Sequence, residues 1–140
     1  MIWKYWPDLD ALNQTRENTA VGRLGIRFSA IGDDWLEGAM PVDHRTKQPA
    51  GILHGGASAL LAETLGSVAS TLIIDWPKQQ AVGIELNISH LRSVSEGTVT
   101  GRATPIRIGR RTHVWDIRIT DDRERLIAIA RLTMAILSET

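Results

Sequence analysis

The chain has 140 residues, 43% of them hydrophobic and 23% charged, a length suited to one compact domain that buries about two-thirds of its unfolded surface. Sixteen Lys and Arg balance sixteen Asp and Glu, so no overall field draws the chain to nucleic acid or to a membrane, and neither is expected as a partner. The absence of cysteine excludes disulfides, thiolate nucleophiles and Cys-containing zinc sites, and fits a reducing compartment.

The opening residues, MIWKYWPDLD, lack the apolar core of a signal peptide, which makes the cytoplasm the expected location. Residues 8–17, DLDALNQTRE, predict a short helix after Pro7. Leu24, Ile26, Phe28 and Ala30 then alternate with polar or small positions. The turn Gly32-Asp33-Asp34 interrupts them, and Leu36, Gly38, Met40 and Val42 resume the alternation, which predicts a hairpin. A turn-rich loop from Asp43 to Gly51 leads into a long helix that begins near His54-Gly55-Gly56 and ends around Asp75-Trp76-Pro77. Residues 55–74 have about membrane-spanning length, yet their Gly, Ala, Ser and Thr content and the central Glu63 argue for a helix buried inside protein.

After Pro77 the period becomes two, with Val82, Ile84, Leu86 and Ile88 on one face and Gly83, Glu85, Asn87 and Ser89 on the other. Three more alternating segments run from Thr98 to Ile108, Thr112 to Asp121 and Arg125 to Leu137, joined by Gly109-Arg110-Arg111 and Asp122-Arg123-Glu124. Connections this short forbid parallel crossovers. The expectation is therefore an α+β fold, an antiparallel sheet wrapped around one long central helix, in a single domain over residues 1–140. The last segment, RLIAIARLTMAIL, is apolar on both faces for most of its length, so either the helix and opening segment cover both or another subunit does.

Within GGASALLAETLGSVASTLII the one carboxylate is Glu63. An isolated buried carboxylate would be prohibitive, so it is hydrogen-bonded, partly protonated or turned to a wet cleft. A structural tie to a neighbouring amide and a catalytic base or nucleophile are both open to it. Ser67, at i+4, shares its face. His54 and two glycines open the helix, where free backbone N–H groups and the positive end of the dipole can hold a developing oxyanion, or where His54 simply caps the turn. Gln48 adds an uncharged amide donor in the same loop. The GxSxG, GxxxxGK[ST] and GxGxxG signatures are all missing, which removes serine-hydrolase, P-loop and Rossmann chemistry. His44, His54, His90 and His113 form no HExxH or HxH pair, and no metal is expected.

The stretch IGDDWLEGAMPVDHRTKQPAGILHGGASALLAETLGS, continued by VGIELNISHLRSVSEG, resembles the hotdog-fold acyl-CoA thioesterases, of the 4-hydroxybenzoyl-CoA thioesterase class that uses a helix glutamate. The resemblance covers nearly the whole chain. It implies hydrolysis of an acyl-CoA, and an aryl one such as hydroxybenzoyl- or dihydroxynaphthoyl-CoA, or of the same thioester on an acyl-carrier protein. No cofactor is implied, CoA being part of the substrate. It also implies a homodimer with shared sites, assembled further into a homotetramer. Gln48, His54 and the Gly55 N–H would line the thioester on one subunit, and Glu63 and Ser67 would come from its partner. His90 and Arg92 fall where such enzymes hold the substrate or its CoA arm, and Gly109, Arg110 and Arg111 where CoA phosphates are held. A hotdog hydroxyacyl-thioester dehydratase or hydratase, and a non-catalytic acyl-CoA binding module, remain the alternatives.

Overall fold

The opening helix, predicted over residues 8–17, forms only over Leu9–Gln14 (α1) in the computed structural model, which describes residues 1–139. Asp8 caps it, its carboxylate accepting from the amides of Asp10 and Ala11 at 3.0 and 3.4 Å, which satisfies two of the N–H groups a helix start leaves free. Asn13 is buried and fastens the helix to the sheet: its amide donates to the Phe28 carbonyl at 3.1 Å and its oxygen accepts from the Phe28 N–H at 2.8 Å. A four-residue helix, Ala20–Arg23 (α2), follows. The alternation gave no sign of it and instead assigned Leu24 to a strand.

Six strands make one sheet. They are Arg27–Ile31 (β1), Leu36–Pro41 (β2), Gln79–His90 (β3), Thr98–Ile108 (β4), Thr112–Thr120 (β5) and Leu126–Ser138 (β6). Their spatial order is β1-β2-β4-β5-β6-β3 and every pairing is antiparallel. Across one face lies the long helix Gly55–Thr71 (α3). Ala57, Ser58, Leu61, Ala62, Leu65, Gly66, Val68 and Ala69 are buried, and together they make a stripe at helical spacing. A Cβ at Gly101 would stand 2.7 Å from the Leu65 side chain, so glycine on the sheet lets the helix settle close. Leu61 and Leu65 are fully buried there, and truncating either to alanine should cost about 2–5 kcal/mol.

Two expectations need correction. α3 ends at Thr71, short of Asp75, because the amides of Ile73 and Ile74 both turn back to the Ser70 carbonyl and tighten the last turn. A bulge between Gly83 and Glu85 leaves Ile84 out of the β3–β6 ladder. Val82 therefore faces away from Leu86, and Gly83 takes the helix side; a period-two reading cannot detect one extra residue. Of the two coverings left open for β6, α3 supplies one, and on one face only. Trp3 stacks on Trp115, 6.3 Å between ring centroids, on that same face. Leu137, on the other face, is 51% exposed among the described residues. Among the described residues no helix is long and apolar enough to cross a membrane.

Candidate active site

The open side of α3 carries Ala59, Leu60, Glu63, Thr64, Ser67 and Val68, and with Arg16, Val21 and Leu86 these line a cleft of about 470 Å³. Glu63 is exposed and has no hydrogen-bond or ion-pair partner among the described residues. Of the situations the sequence left open, it is turned to a wet cleft. Ser67, one turn on, lines the same cleft and donates weakly to the Met134 sulfur at 3.7 Å. Gly83, across from the helix, lies beside the carboxylate: a Cβ there would be in van der Waals contact with it, 3.4 Å from Glu63 Oε2. This glycine belongs to the site and was missed, because the bulge that brings it to the helix side leaves no trace in the hydropathy pattern.

A second cleft, of about 340 Å³, is lined by Gln48, Ile52, Leu53, Gly55, Ser58, His90, Leu91, Arg92, Ser93 and Ile127. At its edge the Gly55 N–H has no acceptor among the described residues. A free amide at a helix N-terminus is suited to negative charge. The His90 ring sits against it, so that a Cβ on Gly55 would come within 2.8 Å of His90 Nε2. Gln48 is held by its own loop: its oxygen accepts from the Ala50 N–H and its main-chain N–H donates to the Ile52 carbonyl at 2.9 Å. The Gln48 amide NH2 is thereby left as the free end, a donor.

His54 caps α3. Its Nδ1 accepts from the Gly56 N–H at 2.7 Å, so that the neutral ring carries its proton on Nε2. It opens on a third, smaller hollow beside Arg45, Thr46 and Lys47, not on the cleft of Gln48 and Gly55. The turn Gly109-Arg110-Arg111 lies at the far end of the sheet from His90 and Arg92. His90 pairs with Ala128 and Thr112 with Ala135, seven residues and roughly 23 Å apart along β6. Gly55 and Glu63 are likewise separated by eight residues, roughly 12 Å, of helix. One chain thus brings together Glu63 with Ser67, and Gln48 with Gly55, His90 and Arg92. It does not bring the two sets to one point.

A third polar group needs no ligand to explain it. Ser70, fully buried, accepts from Trp115 Nε1 at 2.8 Å and pairs with His113 Nδ1 at 2.9 Å. Burial holds the His113 imidazole below its ordinary range, against a smaller raising effect from its hydrogen bond to the Gly109 backbone. This serine and histidine have the spacing of a catalytic pair, but the site is closed to substrate.

A six-stranded antiparallel sheet wrapped around one long helix is the hotdog architecture. Residues 50–128 match the family model of the thioesterase superfamily. Over 137 residues, 98% of this chain and 100% of the other, the sequence is 53% identical to the 1,4-dihydroxy-2-naphthoyl-CoA hydrolase of Escherichia coli. The crystal structure of a Haemophilus influenzae thioesterase superposes with a TM-score of 0.95 at 48% identity, covering 99% of this chain and 96% of that one. A glutamine-to-alanine mutant of a Pseudomonas aeruginosa thioesterase gives 0.97 at 49% identity, covering 99% and 100%. The chain belongs to the thioesterase superfamily and is a thioester hydrolase.

Proposed function

We propose that the protein hydrolyses an aryl-CoA thioester, of the dihydroxynaphthoyl-CoA kind named for its Escherichia coli relative and so in menaquinone synthesis, at a site completed by a second copy of itself. The observation that carries this reading is the division of the site: the amide donors stand in one cleft and the carboxylate in another, and β3 beside both has a free edge. Two β3 edges can pair antiparallel about Asn87, with Ile84 passed over as it is in the ladder with β6. Gly83 then meets the partner's His90, and both residues face the helix side. Glu63 lies beside Gly83 and Gly55 beside His90. The carboxylate of one copy thus reaches the free amide of the other.

At such a site the Gly55 N–H and the Gln48 NH2 polarise the thioester carbonyl and hold the oxyanion that forms on it. His54 acts as a positioning residue by fixing the first turn of α3. Two routes are open to Glu63. As a base it takes a proton from water while the water oxygen bonds to the carbonyl carbon; as a nucleophile it bonds to that carbon itself, and water then cleaves the resulting anhydride. In both, the C–S bond breaks, the sulfur leaves with the bonding pair as CoA thiolate, and the free acid remains. No metal or cofactor has a part in either route, and the 140 residues act as one domain. His90 and Arg92 hold the pantetheine side of the substrate, with Gly109, Arg110 and Arg111 on its phosphates. The uncovered face that carries Val82, Ala135 and Leu137 supports a further pairing of dimers into a homotetramer. An acyl-carrier-protein thioester is the alternative carrier, and the cytoplasm is the proposed location.

Intersubunit complementation tests the divided site. Glu63→Gln and Gln48→Ala subunits, each impaired alone, are mixed and allowed to exchange, and thiol release from a hydroxybenzoyl-CoA is followed. Each mixed dimer holds one intact site, so about a quarter of the wild-type activity should return. No recovery despite proven subunit exchange overturns the shared site.

A further inference from the structure

Arg16 is an anomaly among the charges of the molecule. Of sixteen Lys and Arg residues it alone is not exposed. Arg45, Arg102, Arg118 and Arg125 each face a carboxylate, and Arg16 has none within ion-pair distance among the described residues. A half-buried guanidinium without a counter-charge is costly unless something else uses its donors. Two of its five N–H groups are committed, since Nη1 donates to the Leu12 carbonyl at 3.1 Å and to the Thr15 hydroxyl at 2.9 Å. Its plane is steadied by the Phe28 ring, 5.5 Å from centroid to Cζ. Nε and Nη2 have no acceptor among the described residues, which leaves three donors.

The residue lines the same cleft as Glu63 and Ser67, whose other walls, Thr64 apart, are the apolar Val21, Ala59, Leu60, Val68 and Leu86. Apolar walls suit a flat hydrocarbon body, and a fixed cationic fork at its margin suits an oxygen on that body. We propose that Arg16 determines specificity in the acyl cleft by hydrogen-bonding a phenolic oxygen carried on the ring of the acyl group. The inference rests on the proposed aryl-CoA reading and adds to it which feature of the ring is recognised, and by what.

The test compares kcat/KM for benzoyl-CoA with that for its 2-, 3- and 4-hydroxy forms, in wild type and in Arg16→Met, which keeps an unbranched stem over Phe28. Wild type should favour one hydroxy isomer over benzoyl-CoA by about tenfold or more, and Arg16→Met should lose most of that ratio. Arg16→Lys, which keeps the charge without the planar fork, should retain an intermediate ratio and serves in place of the methionine variant should that fail to fold. A wild type with no preference for any isomer overturns the role of Arg16 and leaves hydrolysis standing. So does a variant whose rates fall equally on all four substrates, which would make Arg16 a general electrostatic or structural support. A wild type that hydrolyses none of the four removes the aryl-CoA reading itself, and Arg16's role with it.

Discussion

Ser67 and Ser70 stand three residues apart on α3 and lie in opposite situations. Ser70 is fully buried between Trp115 and His113, its oxygen engaged by both. Ser67 lies at a cleft, with a weak contact to sulfur, one turn from a carboxylate that has no partner among the described residues. The Ser70 group contains a serine and a histidine at hydrogen-bond distance, yet every valence is used within the fold, and its effect is to tie the helix to β5. The Glu63 group has no such closure. What separates them is unspent hydrogen-bonding capacity next to space: saturated polar groups hold a structure together, and unsaturated ones at a cleft can act on a ligand.

The comparison breaks most sharply at Glu63. Glu63→Gln should lower kcat at least roughly a hundredfold, about 2.7 kcal/mol of barrier, while circular dichroism and melting temperature stay near wild type. A near-normal rate would return Glu63 to the structural class. Gln48→Ala, by removing one carbonyl donor, and His54→Ala, by loosening the turn that presents the Gly55 N–H, should each cost less than the Glu63 change, about tenfold to a thousandfold. If both are silent, the placement of the thioester against Gly55 is wrong.

Ser70→Ala sharpens the other side. It leaves the Trp115 N–H without its acceptor and should destabilise the fold by about 1–3 kcal/mol. Well below the melting temperature, kcat/KM should be unchanged. A loss of rate without a loss of stability would move this buried group into the chemistry.

A smaller effect is expected at the β4–β5 turn. Changing Arg110 and Arg111 both to Glu should raise KM for acyl-CoA about tenfold with kcat nearly kept, because phosphate contacts are alike in ground and transition states. An acyl-pantetheine thioester without the nucleotide should show little change. An equal KM on both substrates for wild type and variant would leave His90 and Arg92 to hold the nucleotide.

The smallest effect concerns pH. His113 is held below its ordinary range by burial, so the unfolded chain takes up the proton first on acidification. The neutral ring's contribution is complete above the unfolded value, about 6.5, and falls away as pH drops through it, until the folded ring is also protonated. Melting temperature should therefore decline between about pH 7 and pH 5, and more steeply in wild type than in His113→Gln. Equal slopes would show that His113 does not govern this range.

Much of this architecture is readable from local pattern. β4 is predicted to the residue by its alternation, and the acidic start after Pro7 places the beginning of α1 within one residue. The chemistry-bearing residues are also visible as exceptions: a single carboxylate in an otherwise neutral helix, and glycines where that helix begins. The bulge at Ile84 is not visible, since an apolar residue that leaves the ladder looks like one that stays in it. Gly83's place beside Glu63 and the wrong face assigned to Val82 both follow from it. Arg16 also gave no signal, because a charged residue after a short helix usually lies in solvent.

The division between the two sources is physical. Periodicity, capping and turn chemistry act over a few residues, so the sequence alone determined the long helix, the strands, their antiparallel pairing and which side chains are chemically out of place. Burial and proximity between elements depend on how they pack in three dimensions. Only the tertiary structure decided that Glu63 is open and Ser70 closed, that Gln48 shares a cleft with Gly55 while His54 does not, and that Arg16 lines the cleft of the carboxylate.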